Sequence, residues 1–137
     1  MRRRRSVTNP LRVALLVAAY GCPGGEASTP EMVVYQSPTC GCCGAWVEHI
    51  RESGIAVRVE MRNDFSSVRR ELGVPWTAAG CHVGVIEGYA VEGHVPSDVV
   101  HRLLRERPAI AGITVPGMPA GPPGMERLDG YREPFAV

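Results

Sequence analysis

Residues 31–54 read Glu31-Met-Val-Val-Tyr-Gln-Ser-Pro-Thr-Cys40-Gly-Cys-Cys-Gly-Ala-Trp-Val-Glu-His-Ile50-Arg-Glu-Ser-Gly54. Glu31 to Tyr35 is a short β-rich run, and Gln36-Ser-Pro-Thr39 carries turn chemistry directly after it. From Gly44 onward, Trp46, Val47 and Ile50 recur at helical spacing with Glu48, Arg51 and Glu52 between them, until Gly54 supplies a stop. A strand therefore runs through a cysteine-rich turn into a helix. That arrangement crowds the sulfurs of Cys40, Cys42 and Cys43 at a helix N-terminus.

Ile55-Ala-Val-Arg-Val-Glu-Met61 alternates as a half-buried strand, Asp64 can cap a helix reaching Leu72, and Gly73 ends it. Cys81-His-Val-Gly-Val-Ile86 and Tyr89-Ala-Val-Glu92, joined by Glu87-Gly88, signal a β-hairpin. Pro96-Ser97-Asp98 then opens a helix through Arg107. The order β-α-β-α-β-β-α is that of a thioredoxin-like α/β domain, a small mixed β-sheet flanked by helices. The loop entering the third strand of such a domain, commonly with a cis-Pro, lies against the cysteine turn. Residues 108–134 are rich in Gly and Pro and contain Pro-Gly-Met twice, at 116–118 and 123–125. They are expected to wrap the domain as an irregular arm without a further element.

The chain has 137 residues, 45% of them hydrophobic, which suffices for one core and excludes a second domain. Five of the fifteen Arg fall within Met1 to Arg12 and Lys is absent, so the net charge of +1 does not describe a nucleic-acid-binding stripe. Arg2 to Arg5, the apolar run Val13 to Ala19 and the small-x-small site Ala19-Tyr20-Gly21 together read as an export signal. The apolar run is far shorter than the roughly 20 residues of a membrane span. Residues 1–30 are thus expected to be signal and linker, and 31–137 the thioredoxin-like domain. Beyond Gly21, ten Arg face fourteen Asp and Glu, about −4 net. Cys22 raises the alternative of a lipid anchor, although Ala19 stands where a lipoprotein signal carries a branched aliphatic residue. A twin-arginine route and an Arg-rich cytosolic tail are the other readings of this segment.

Free N–H groups and the helix macrodipole favour thiolate over thiol at the Cys40-Gly-Cys-Cys43 turn, so these cysteines are expected to be reactive. Cys40 and Cys43 form a CxxC pair suited to thiol–disulfide exchange. Cys42 alters that reading: a third thiol opens competing disulfides in an exchange centre, whereas it gives a soft metal ion another ligand. Clustered thiolates favour copper as Cu(I), held in a multinuclear site, over a single zinc tetrahedron. Gly41 and Gly44 leave space beside the sulfurs. A structural disulfide with a spare thiol is the bland alternative.

Cys81 is the fourth sulfur candidate, set against a reading as a buried small hydrophobe. His82 and His94 offer nitrogen. Met118 and Met125 offer thioethers suited to Cu(I), or else fold back as hydrophobic lids. Met32 and Met61 read as core. His49 and His101 read as surface or packing residues, and Trp46 and Trp76 as packing residues that would also shield a metal.

These blocks, Cys40-Gly-Cys-Cys-Gly44 with Trp46 and His49, Gly73-Val-Pro75, Cys81-His82, Gly88-Tyr89, Glu92-Gly-His-Val-Pro96, Val115-Pro-Gly-Met-Pro119 and Pro123-Gly-Met-Glu126, together resemble the CopG-type periplasmic copper-resistance proteins over about residues 32–135. The resemblance implies a thioredoxin-like fold, export and a copper cluster on cysteine sulfur. It maps the family's metal-binding cysteines onto Cys40, Cys42, Cys43 and Cys81, with His82, His94, Met118 and Met125 near them. This chain departs from the family at Gly80 and Val83, where the pattern has Ser and Thr around the Cys-His pair, so hydrogen bonds to the site are expected to be missing. It also implies a further strand beyond Val137, whose absence would leave a sheet edge open. The leading functional expectation is a copper handler of the cell envelope that buffers Cu(I) or passes it to efflux or chaperone proteins. A thiol–disulfide oxidoreductase using Cys40 and Cys43, and a redox protein in which a copper cluster cycles electrons, are the competing classes.

Overall fold

The structure, a computed structural model, describes residues 30–137. The candidate export signal and Cys22 lie outside the described residues. In chain order the elements are β1 (Glu31–Gln36), α1 (Gly41–Glu52), β2 (Ala56–Met61), α2 (Ser66–Glu71), a 3₁₀ turn at Trp76–Ala78, β3 (His82–Ile86), β4 (Tyr89–Glu92), α3 (Ser97–Glu106) and β5 (Gly112–Thr114). One sheet has the order β2-β1-β3-β4-β5. β1 runs parallel to β2 and antiparallel to β3, and β3 forms the expected hairpin with β4. The first four strands thus have the mixed thioredoxin-like arrangement that the element order implied.

The alternation of side chains along each strand sorts them onto two faces. Met32, Val34, Ile86 and Val91 pack with Trp46, Val47 and Ile50 of α1 and Val100 and Leu103 of α3. Val83 and Ala90 point to the other face, beneath Phe65, Val68 of α2 and Leu72 just after it. Gly84 lies on the α1 face. A Cβ there would come within 2.8 Å of the Met32 sulfur and 3.4 Å of the Trp46 ring, so its lack of a side chain lets the tryptophan reach the sheet.

Four expectations are corrected. The Pro/Gly-rich arm does contain an element: β5 pairs in parallel with β4, with Val91 opposite Ile113. A three-residue strand is too short to show periodicity, and it takes the outer edge of β4 where glycine alone fits at 112, since a Cβ would collide with the Ala90 carbonyl oxygen. Helix α2 begins at Ser66, because Asp64 accepts the Ser66 N–H at 2.8 Å in a turn that precedes the helix. Among the described residues no peptide bond is cis, so Pro75 is trans. Met61 and Trp76 are not core: both are exposed, Trp76 at 85%, as they lie on the edge strand and on the 3₁₀ turn.

Candidate metal centre

Cys40 is the N-cap of α1, in extended conformation, and Cys42 and Cys43 occupy the first helical turn. Cys40 and Cys43 are joined as a disulfide, while Cys42 and Cys81 are free thiols. Cys81 sits in the bend just before β3, which begins at His82, one residue later than the strand expected to start at Cys81. The bend brings its Sγ to 3.5 Å from Cys43 Sγ, across 38 residues of sequence. Cys42 Sγ lies 3.7 Å from Cys40 Sγ. One sulfur each from Cys40, Cys42, Cys43 and Cys81 gathers within 4.8 Å. Gly41 and Gly44 face open space, so their contribution is room beside the sulfurs and not a steric need of the fold.

Two histidines complete the wall opposite the turn. Cys81, His82 and His94 present a second set of donors within 4.8 Å, with Cys81 common to both sets. Cys81 Sγ lies 3.4 Å from His82 Nδ1 and 3.8 Å from His94 Nε2. His94 Nδ1 donates to the Pro123 carbonyl at 2.7 Å, which leaves Nε2 as the lone-pair nitrogen facing the sulfur. The His82 ring is fully buried between Trp46, whose centroid is 4.3 Å away, and the edge of His94. Trp46 is itself fixed by its indole N–H, which donates to Val95 O at 2.8 Å.

Burial dominates the electrostatics. It pushes the Cys81 thiol up to about 11, with Cys42 adding to the rise, so soft-metal binding there releases a proton. Burial pushes His82 down to about 3, aided by neighbouring His94, and the Gly93 backbone opposes the shift only in part. It lowers His94 as well. Both imidazoles are therefore neutral and able to ligate. Nδ1 is the His82 nitrogen that faces Cys81, while Nε2 is buried without a hydrogen-bond partner.

The C-terminal arm closes the rim. Gly124 has φ of +80°, and a Cβ on it would meet Trp46 N at 2.9 Å, Cys42 O at 3.0 Å and His94 Nδ1 at 3.2 Å. The second Pro-Gly-Met block is thereby pressed onto the start of α1, with half-buried Met125 next in sequence. Met118 is 56% exposed, which excludes a lid role for it. His49 and His101 serve packing: His49 Nε2 accepts the Ser97 N–H at 3.0 Å at the start of α3, and His101 Nε2 meets Ser53 O at 3.1 Å. Sequence reading overlooked Arg69 and gave Glu92 no role, although Glu92, an acidic residue closing an otherwise apolar strand run, carried a visible signal.

A mixed α/β domain that gathers four cysteine sulfurs and two imidazoles at one helix mouth is of a metal-binding class. A family model described as "Protein of unknown function, DUF411" matches residues 78–125, which span Cys81, His82, His94, Met118 and Met125. Among curated proteins no match is found. Two solved structures titled copper resistance protein CopG are similar: form 2 is 42% identical with a TM-score of 0.72, covering 77% of this chain and 84% of that one. Form 1 is also 42% identical, with a TM-score of 0.71, covering 77% and 82%. The chain belongs to the CopG-type copper-resistance family. Among the described residues no helix is long and apolar enough to cross a membrane.

Proposed function

We propose that this protein binds Cu(I) in the cell envelope in the service of copper resistance, on the sulfurs of Cys40, Cys42, Cys43 and Cys81. The observation that carries the reading is the gathering of those four sulfurs within 4.8 Å, with neutral His82 and His94 sharing Cys81. The donor set fits the ion: thiolate is the soft ligand that selects Cu(I), and adjacent Cys42 and Cys43 suit a thiolate-bridged cluster better than one closed zinc tetrahedron. Only the reduced chain offers all four thiolates, since the Cys40–Cys43 disulfide takes up two sulfurs. His94, with Nδ1 held by Pro123, supplies a nitrogen donor, and Met125 at the same rim supplies a thioether. Met118, exposed on the arm, suits a hand-over role toward efflux or chaperone proteins. Residues 1–30 act as export leader and linker, with Cys22 the point for a lipid anchor if the chain carries one, and 31–137 form the metal-binding domain.

The test is anaerobic reduction, Cu(I) loading, desalting and metal analysis. More than one Cu(I) per chain is expected, and less than one overturns the reading. Zinc serves as the competing metal. The second reading, thiol–disulfide exchange at Cys40 and Cys43, is favoured by the disulfide between them. Insulin reduction that survives Cys42→Ser and Cys81→Ser but not Cys40→Ser would establish it.

A further inference from the structure

The face of the sheet away from the sulfurs holds a buried charge pair. Glu92 ends β4 with a carboxylate that is 1% exposed, and Arg69 reaches it from α2, on the face opposite α1. The contact is two-pronged: Arg69 Nε donates to Glu92 Oε1 at 2.7 Å and Nη2 to Oε2 at 3.1 Å. Each partner also grips the same residue, on either side of its Cα. Gly80 N–H donates to Glu92 Oε2 at 2.8 Å, and Arg69 Nη2 donates to Gly80 O at 2.6 Å.

Gly80 immediately precedes Cys81, and both of its backbone polar groups are thus held by one ion pair. A Cβ on Gly80 would come within 3.0 Å of Gly93 N, so the loop is pressed against the exit of β4 one residue before His94. Thr114 of β5 secures the same loop by donating to Ala78 O at 3.0 Å. A buried ion pair is weak as a source of stability, since apolar side chains of like size often replace it without loss. Its geometry here does something an apolar pair cannot. It sets the height at which the chain crosses from the α2 face into the bend that carries Cys81.

We propose that Arg69 and Glu92 are positioning residues that hold the two peptide groups of Gly80 so that the Cys81 sulfur faces the cysteine turn. The inference rests on the copper-binding reading for its consequence, and its test has a readout independent of copper. The double variant Arg69→Met/Glu92→Met removes both grips on Gly80 while keeping side-chain bulk. Arg69→Lys keeps the charge and removes the fork that reaches both Glu92 and Gly80. Two quantities are measured beside thermal stability: Cu(I) affinity by competition with a chromophoric chelator, and the alkylation rate of Cys81 in metal-free protein, followed by peptide mass spectrometry.

The expected result is a folded double variant with Cu(I) affinity lowered roughly 10- to 100-fold, the cost typical of an outer partner of a metal ligand. Cys81 alkylation is several-fold faster in the same variant, and Arg69→Lys lies between it and the unaltered chain. Unchanged affinity and unchanged alkylation in a folded variant overturn the proposal. If the double variant does not fold, Arg69→Lys decides by the same two readouts, and failure of both to fold assigns the pair a structural role instead. Should the unaltered chain bind no Cu(I), the copper reading fails while the alkylation rates still decide the positioning role.

Discussion

The cysteine turn at the start of α1 and the wall formed by Cys81, His82 and His94 meet within a few ångströms, yet different forces hold them. The turn is local: Cys40, Cys42 and Cys43 lie within four consecutive residues, and the strand and helix on either side set their positions. The wall is assembled from a bend before β3, the first residue of β3 and the segment after β4, and each donor has a distant support. Trp46 packs at a tilt against His82, Pro123 orients His94, and the Arg69–Glu92 pair grips the residue before Cys81. Burial does not divide them: Cys40, Cys42 and Cys81 are half-buried, whereas Cys43 of the turn and both histidines of the wall are buried.

The largest expected effect comes from removing the piece that belongs to both halves. Trp46→Ala deletes a fully buried ring that fills the core and backs His82, and should cost about 3–5 kcal/mol in denaturant unfolding. A loss below 1 kcal/mol would mean the two halves do not share that support. Next comes Cys81→Ser, which leaves the turn intact and removes the sulfur common to both donor sets. Its Cu(I) affinity should fall by more than the roughly 10- to 100-fold typical of an outer partner, with little change in melting temperature. An unaltered affinity would show that the turn binds alone.

A smaller effect is expected at the rim. Gly124→Ala imposes a side chain on a left-handed residue pressed against Cys42 O and Trp46 N, and should destabilise by about 1–3 kcal/mol. Hydrogen exchange at the start of α1 would rise if the arm lifts there, and unchanged exchange would detach the arm from the turn. The smallest belongs to Met118→Ser, whose side chain is mostly exposed: unfolding should move by no more than about 0.5 kcal/mol. A larger shift would place Met118 in a packed contact.

Much of the fold was legible because strand and helix periods are local properties. The seven strands and helices from β1 to α3 follow from alternation, helical spacing and turn residues. β5 did not, because three residues cannot display a period and Gly112 is dictated by the Ala90 carbonyl it meets. The same distinction governs the site. The crowding of sulfur at a helix N-terminus is written in Cys40-Gly-Cys-Cys43. By contrast, Trp76 was read as packing from its size alone, and only the placement of its 3₁₀ turn outside the core leaves it exposed.

By itself, then, the sequence determined the order of elements, the reactive turn and the candidate donors, since each is encoded by residues adjacent or periodic along the chain. Tertiary structure alone decided that Cys81 reaches Cys43, which imidazole nitrogen of His94 faces it, and that Arg69 and Glu92 meet at Gly80. Those contacts join segments tens of residues apart. They depend on strand register and on which face of the sheet each side chain takes, quantities that exist only once the chain has folded.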